Sequence, residues 1–196
     1  VHEVDLSDKK DLLIKTKQVE FMTSEVQNYD FHNKRIALAQ GKSLMFARLM
    51  RMKAMMEYTS KEEYTKNLLE MIDDKCIIFC NTTEQADRLC DITYHSKNPD
   101  ETNDYNLDAF KTGRENKLSC VLQLSEGINV PNLKTGIILH AYGNEKKLMQ
   151  RLGRLMRLAV GEKATLHILM FKGTQDEKWV SDALQDLDPS KITYYR

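Results

Sequence analysis

Residues 75–85 read Lys75-Cys76-Ile77-Ile78-Phe79-Cys80-Asn81-Thr82-Thr83-Glu84-Gln85, and this stretch decides the fold class. Its first half is a short apolar run, typical of a strand that is buried on both faces of a sheet. Its second half places a threonine three residues before a glutamine, which predicts a helix capped by Thr82. A buried strand that leads directly into a capped helix is the first half of a parallel βαβ unit.

The same alternation of apolar runs and amphipathic helices continues to the end of the chain. A helix is expected at about residues 104–111, and Thr174 to Glu177 forms a capping box that opens another helix through Trp179 and Leu184. Further strands are predicted at residues 118–122, 135–140 and 164–171, with one more edge strand in the tail KITYYR. These elements predict an α/β fold: a parallel sheet flanked by helices.

The first 73 residues differ from the rest in composition, because there is no proline between Leu6 and about Asp73. We expect helices joined by short turns there, because nothing in the composition breaks them. Ser7 is a candidate N-cap for a segment that carries Leu12, Leu13, Val19, Phe21 and Met22, and Asn33 for a second segment. Ser60 and Glu63 form a capping box for a third. We therefore divide the chain into a helical connector or insertion, residues 1–73, and a sheet domain, residues 74–196.

Composition excludes several classes of protein. The chain has 29 basic and 29 acidic residues, so a basic surface gives no argument for nucleic acid. Four cysteines without a CxxC pair disfavour a zinc site, and no metal ligands are predicted in this chain. No apolar run approaches the roughly 20 residues needed to cross a bilayer, and the first ten residues lack the apolar core of a signal peptide. A cytoplasmic protein without a membrane partner is expected.

The stretch with most chemical content is Gln150-Arg151-Leu152-Gly153-Arg154-Leu155-Met156-Arg157. Arg154 and Arg157 are three residues apart, so on a helix they share one face, and Gly153 allows close approach of a phosphate or a backbone. Two guanidinium groups on one face can hold a polyphosphate. The alternative is an ordinary basic helix with a solvated face, which is the commoner meaning of an arginine-rich helix in isolation.

The context of these residues resembles a known family. The pattern Gln-x-x-Gly-Arg-x-x-Arg is similar to motif VI of superfamily 2 helicases and translocases. Upstream, Glu126-Gly127-Ile128-Asn129-Val130-Pro131 resembles their motif V, and residues 75–83 resemble motif IV. The three motifs stand in the family's order, and the resemblance covers roughly residues 75–187. The chain is thereby identified as similar to the C-terminal RecA-like lobe of DEAD/DEAH-type helicases, nearest to phage, restriction or repair DNA motors.

This resemblance implies a set of site residues. In the family, two RecA-like lobes clamp ATP and Mg²⁺, which here would be held mainly by a first lobe outside these 196 residues. By position, Arg157 resembles the arginine finger and Arg154 a second phosphate contact. Residues expected near the nucleotide are Gln150, Gly127 and Asn129, and residues expected on the nucleic-acid backbone are Asn81, Thr82, His95 and Ser125. Asn129 stands where the family has a carboxylate, which removes a charge from that contact.

Two look-alike motifs are rejected. Gly41-Lys42-Ser43 resembles the end of a phosphate-binding loop, but Ile36 stands where the first glycine is required. Asp100-Glu101 follows Asn98-Pro99 in a polar loop and does not end an apolar strand, unlike the family's acidic box. The resemblance therefore implies half of an ATPase site, in a DNA motor with RNA as the alternative substrate. The rival interpretation is a non-catalytic interaction module that keeps the fold, and the isolated chain is expected to be inactive.

Overall fold

The computed structural model describes residues 1–17, 19–121, 130–142 and 163–196. These residues divide into two compact units. We call residues 1–4 together with 61–196 the sheet unit, and residues Asp5–Ser60 the hairpin–helix unit. Among the described residues, no helix has the length and apolar character that crossing a membrane requires.

The elements follow one another along the chain with short connections. The first half contains β1 (His2–Val4), β2 (Leu12–Lys15), β3 (Glu20–Thr23), α1 (Glu25–Leu38), α2 (Gly41–Glu57), α3 (Ser60–Glu70) and β4 (Cys76–Cys80). The second half contains α4 (Thr83–Leu89), β5 (Thr93–Tyr94), α5 (Asp100–Thr112), β6 (Lys117–Val121), β7 (Thr135–Ile138), β8 (Thr165–Phe171) and a helix, here α6 (Gln175–Leu184). A 3₁₀ turn, Pro189–Lys191, precedes the last residues.

The sheet unit is built on six strands in the order β1-β8-β7-β4-β6-β5, and every neighbouring pair is parallel. The strands predicted at residues 76–80, 118–122, 135–140 and 164–171 are confirmed to within two residues at each end. In a parallel sheet, the helical crossovers cover both faces, so the strands are apolar along their whole length. The predicted α/β class with a flanked parallel sheet is therefore confirmed.

Alternate residues of the central strand β4 supply the two apolar layers of the core. Ile77 and Phe79 face a layer that includes Phe110 of α5 and Val180 of α6. Cys76, Ile78 and Cys80 face a second layer, formed with Leu68 of α3 and Ala86 of α4. The four cysteines are free thiols, and burial raises the pKa of Cys76 to about 12 and that of Cys90 to about 11. Cys76, Cys80 and Cys120 are buried in the core, and Cys90 packs partly buried against the second layer.

The N-terminal part differs from the expected run of helices. Residues 12–15 and 20–23 form an antiparallel hairpin, in which Leu12 lies opposite Thr23. In the first strand of the hairpin, Leu12–Lys15, half-buried and exposed positions alternate, which is the period of a strand and not of the helix expected after Ser7. Residues 2–4 form β1, which was not predicted and pairs with residues 169–171 of β8. In the tail, one residue, Tyr195, bridges to His2 in place of the proposed edge strand.

Helix starts in this region are also corrected. Asn33 lies inside α1, whose N-cap is Ser24, with its side chain accepting a hydrogen bond from Gln27 N. Ser60 does not cap with Glu63; its hydroxyl donates to Glu25 Oε2 at 2.6 Å, and the amides of Thr59 and Ser60 donate to Glu25 Oε1. A buried carboxylate thus replaces the local capping box. The units divide after residue 60, whereas the boundary between connector and lobe at residues 73 and 74 stays a prediction.

The buried His2 predicts an acid-dependent loss of stability. Its Nδ1 lies 2.9 Å from Tyr64 Oη and its Nε2 lies 2.7 Å from His167 Nδ1. Burial, helped by the neighbouring His167, lowers the pKa of His2 from 6.5 to about 4. Because the unfolded state binds the extra proton between these values, stability is lost as pH falls from 6.5 towards 4.

We expect the unfolding constant to rise by up to about tenfold per pH unit from this group alone, because one proton is taken up. Urea unfolding at pH 7 and pH 5 measures it. The variant His2→Phe keeps an aromatic ring against Tyr195, whose ring centroid lies 4.7 Å away, and should show a flatter dependence. Equal slopes for the variant and the natural chain would contradict the role of His2.

Candidate functional site

Parallel sheets of this type bind ligands beyond the carboxyl ends of their strands. In this sheet, that edge lies where β4, β6, β7 and β8 end. Asn81 and Thr82 follow β4, and His140 and Tyr142 follow β7. The candidate site is therefore this carboxyl edge of the sheet.

Asn81 and Thr82 are fixed by the start of α4. The Thr82 hydroxyl accepts from Gln85 N at 3.2 Å and Gln85 Oε1 accepts from Thr82 N at 3.4 Å, so the predicted capping box is present. Gln85 Oε1 also accepts from Asn81 N at 3.2 Å. Asn81 and Thr82 remain half-exposed. Among the described residues, the Asn81 side-chain amide has no hydrogen-bond partner, which leaves its donor and acceptor available for a ligand. Thr82 has its oxygen engaged in the cap but is still able to donate its hydroxyl hydrogen.

A buried ion pair lies at the same edge, where β7 and β8 end. Lys61, in the first turn of α3, forms a hydrogen-bonded salt bridge with Asp176 in the first turn of α6, and both side chains have zero exposure. Lys61 Nζ also donates to Leu139 O at 2.8 Å and to Leu169 O at 3.0 Å. Asp176 Oδ2 accepts from Phe171 N at 2.9 Å. One ammonium group thus ties two helices to the ends of two strands.

The next residue along the chain, His140, belongs to the same cluster. Its Nδ1 lies 3.4 Å from Lys61 Nζ, and burial together with this ammonium lowers the pKa of His140 well below its ordinary value. A neutral ring beside this ammonium avoids a second buried cation, while the three hydrogens of Lys61 Nζ are directed at Leu139 O, Leu169 O and Asp176. Beyond it, Tyr142 packs edge-on against Trp179 of α6, with ring centroids 4.9 Å apart. The chain is therefore held in a defined place just before residues 143–162.

His95 was predicted to line the nucleic-acid track, and its surroundings favour a structural role. The residue is 2% exposed. Its Nε2 lies 2.8 Å from Asp87 Oδ1 and 3.2 Å from Thr93 Oγ1, and its amide donates to Asn103. The imidazole holds α4 to β5, and the His95 backbone holds α5 through Asn103. The residue has little surface to offer a strand, so nucleic-acid contact at His95 gains no support.

The remaining predicted site residues lie outside the described part of the chain: Ser125, Gly127, Asn129, Gln150, Arg154 and Arg157. In chain order, the first three follow β6 and the last three stand between β7 and β8. Within the described ranges, no group of three or more His, Cys, Asp or Glu side chains is placed to hold a metal ion. We accordingly assign no Mg²⁺ ligand to them.

The Lys61–Asp176–His140 cluster was missed by sequence reasoning. Lys61 follows Ser60 in what reads as an ordinary charged helix start, and Asp176 lies inside the capping stretch that opens α6. Asp176 gives only a weak local signal. The helix dipole favours an acid in the first turn of any helix, so its presence there does not indicate a distant partner. Pairing between residues 115 positions apart requires the fold.

A comparison with protein families matches residues 60–159 to the model described as the helicase conserved C-terminal domain. The matched range is more than half of the chain and contains Lys61, Asn81, Thr82, Arg154 and Arg157. The chain belongs to this family. The resemblance to the C-terminal lobe of superfamily 2 helicases is thereby confirmed.

Curated relatives of this helicase C-terminal domain include motor proteins acting on either nucleic acid. It is 26% identical over 176 residues to the DNA 3'-5' translocase XPB2 of Sulfurisphaera tokodaii, covering 83% of this chain and 40% of that protein. It is 30% identical over 127 residues to the ATP-dependent RNA helicase DBP3 of Candida albicans, covering 60% of this chain and 22% of that protein. The chain thus spans less than half the length of both relatives.

Solved structures of low sequence identity share the fold. The Sulfolobus solfataricus SWI2/SNF2 ATPase core domain superimposes with a TM-score of 0.63 at 14% identity, covering 86% of this chain and 42% of that one. The C-terminal domain of the DEAD-box protein Dbp5 superimposes with a TM-score of 0.56 at 18% identity, covering 69% of this chain and 82% of that one. These matches identify the sheet as RecA-like.

Proposed function

We propose that this chain is the second motor lobe of an ATP-dependent DNA helicase or translocase, and that its Arg157 and Arg154 act on ATP held mainly by a first lobe. The observation that carries the proposal is the family match over residues 60–159, because that range includes both arginines. ATP and Mg²⁺ would be bound between the lobes, with Gln150, Gly127 and Asn129 on this side.

The chemistry assigned to Arg157 follows from phosphoryl transfer. In the transition state, negative charge spreads over the oxygens of the transferred group, and a planar guanidinium can donate to two of them at once. A finger brought in by a second lobe acts only when the lobes close, which couples hydrolysis to movement. Arg154, three residues earlier, supplies a second cation on the same side if the segment is helical.

DNA is proposed as the substrate on two grounds. The DNA translocase XPB2 matches over 83% of this chain, whereas the RNA helicase DBP3 matches over 60%. In addition, motif VI of RNA helicases usually begins with histidine, and this chain has Gln150. Asn81, with its unengaged amide beside the capped start of α4, is the described residue best placed to contact a phosphate backbone.

The alternative function is a non-catalytic interaction module that keeps the lobe fold. The presence of both Arg154 and Arg157 favours the motor, because a module without hydrolysis has no need of two guanidinium groups spaced for a phosphate.

The 196-residue chain by itself is expected to hydrolyse ATP at no measurable rate and to bind it weakly, since the phosphate-binding loop and the acidic box belong to a first lobe. A coupled phosphate-release assay with and without single-stranded DNA tests hydrolysis, and titration calorimetry with Mg²⁺ tests binding. A longer protein that joins both lobes serves as the positive control. Tight Mg²⁺-dependent ATP binding by the chain alone would show that Gly41–Ser43 or Asp100–Glu101 was rejected wrongly.

A further inference from the structure

A groove crosses the hairpin–helix unit and has no role in the motor chemistry. It has a volume of about 710 Å³ and is lined by the β2–β3 hairpin, α1 and α2. Two phenylalanines line it with about half of their surface exposed: Phe21 at 49% and Phe31 at 55%. Exposed aromatic rings in a groove cost free energy in water, and they commonly mark a binding surface.

The groove is also basic. Lys15, Arg35 and Lys53 line it against one acidic residue, Glu57. The charge of the unit agrees with that of the groove, because residues 5–60 contain ten Lys and Arg but seven Asp and Glu, whereas the rest of the chain contains 19 and 22. The neutral total of the whole chain therefore conceals a basic unit. A partner with negative charge is favoured here.

One of the cations that line the groove lies beside one of its aromatic rings. The guanidinium carbon of Arg35 lies 5.7 Å from the ring centroid of Phe31. His32, which packs edge-on to Phe31 with centroids 5.5 Å apart, also lines the groove. This histidine is 7% exposed, and its Nδ1 has no hydrogen-bond partner among the described residues. Because this nitrogen is buried, His32 supports the Phe31 ring by packing against it and is not itself a contact surface.

We propose that this groove binds single-stranded nucleic acid, with a base stacked at Phe31 and phosphates at Lys53 and Arg35. Aromatic rings together with cations are the combination that single strands need, since every base has a flat face and every nucleotide a phosphate. The inference rests on the proposed function in taking nucleic acid as the ligand class. It adds a second contact, separate from Asn81.

The chain offers matched controls for the test. Phe46 of α2 is exposed to the same extent as Phe31, 55%, but does not line the groove. Lys42 is an exposed lysine on α2, like Lys53, and also lies off the groove. Because all four side chains are exposed, their replacement should leave the fold intact, which circular dichroism checks.

Fluorescence anisotropy with a labelled oligothymidine of about 15 nucleotides measures binding by the 196-residue chain. Phe31→Ala should weaken binding roughly fivefold to 100-fold, the loss expected for one stacked base. Phe46→Ala should leave it unchanged. Lys53→Gln should lower the slope of log affinity against log salt by about 0.7, one single-strand phosphate contact, whereas Lys42→Gln should not.

Three results would overturn the groove proposal: no binding by the natural chain at low salt, equal effects of Phe31→Ala and Phe46→Ala, or displacement of the strand by a polyglutamate peptide at equal charge concentration, which indicates an acidic protein partner. The motor proposal is judged separately. A groove that fails while Arg157→Ala abolishes ATP turnover in the longer protein refutes the groove alone, and the reverse pattern refutes the motor assignment alone.

Discussion

Replacement of Arg157 by alanine, in a longer protein that joins this chain to a first lobe, is expected to lower nucleic-acid-stimulated ATP turnover by roughly 10³ or more. The finger acts on charge that develops only in the transition state, so strand binding should remain nearly intact. Steady-state kinetics at saturating DNA, together with strand binding by anisotropy, measures both quantities on one sample.

Two further variants make the result specific. Arg157→Lys should restore little activity, because an ammonium keeps the charge but loses the planar pair of donors. Asn81→Ala, at the half-exposed start of α4, should weaken strand binding and raise the DNA concentration needed for stimulation, with a smaller effect on the saturated rate. Near-normal turnover in Arg157→Ala, with a defect confined to strand affinity, would reassign motif VI to nucleic-acid contact.

The sequence predicts correctly those parts of the fold that depend only on residues close together in the chain. The run Cys76–Cys80 is apolar at every position because both faces of β4 are covered, and such a run needs no distant information to be recognised. The Thr82 capping box is equally local, since the two side chains that form it are three residues apart. Asn81 was therefore placed correctly beside a strand end and a helix start.

The parts that were missed depend on distant partners. His2–Val4 is three residues long and becomes a strand only by pairing with residues 169–171. The hairpin at residues 12–23 has three consecutive apolar residues, 12–14, that do not show a period of two, and its strands are defined by their pairing with each other. Glu25 has no local feature that marks it as the acceptor for the amides of Thr59 and Ser60. Tertiary contacts override local propensity at each of these places.

The second large effect is on stability and concerns Lys61. Lys61→Met should lower the free energy of unfolding by about 3–5 kcal/mol, because it leaves the carboxylate of Asp176 buried without its partner. The two side chains have zero exposure, so water cannot compensate. Urea unfolding of the 196-residue chain, followed by circular dichroism, measures the loss.

The expected loss comes from the unpaired charge of Asp176 and not from the changed shape of the Lys61 side chain, and a second substitution separates the two causes. In Lys61→Met/Asp176→Asn no buried charge is unpaired, and the asparagine oxygen can still accept from Phe171 N. The double variant should recover at least about 1 kcal/mol relative to Lys61→Met, a non-additive result typical of coupled pairs. Lys66→Met, an exposed position on the same helix, should change stability by less than about 0.5 kcal/mol. If the double variant were less stable than Lys61→Met, the pair would not be held together by its charges, and the carbonyl contacts to Leu139 and Leu169 would be the dominant role of Lys61.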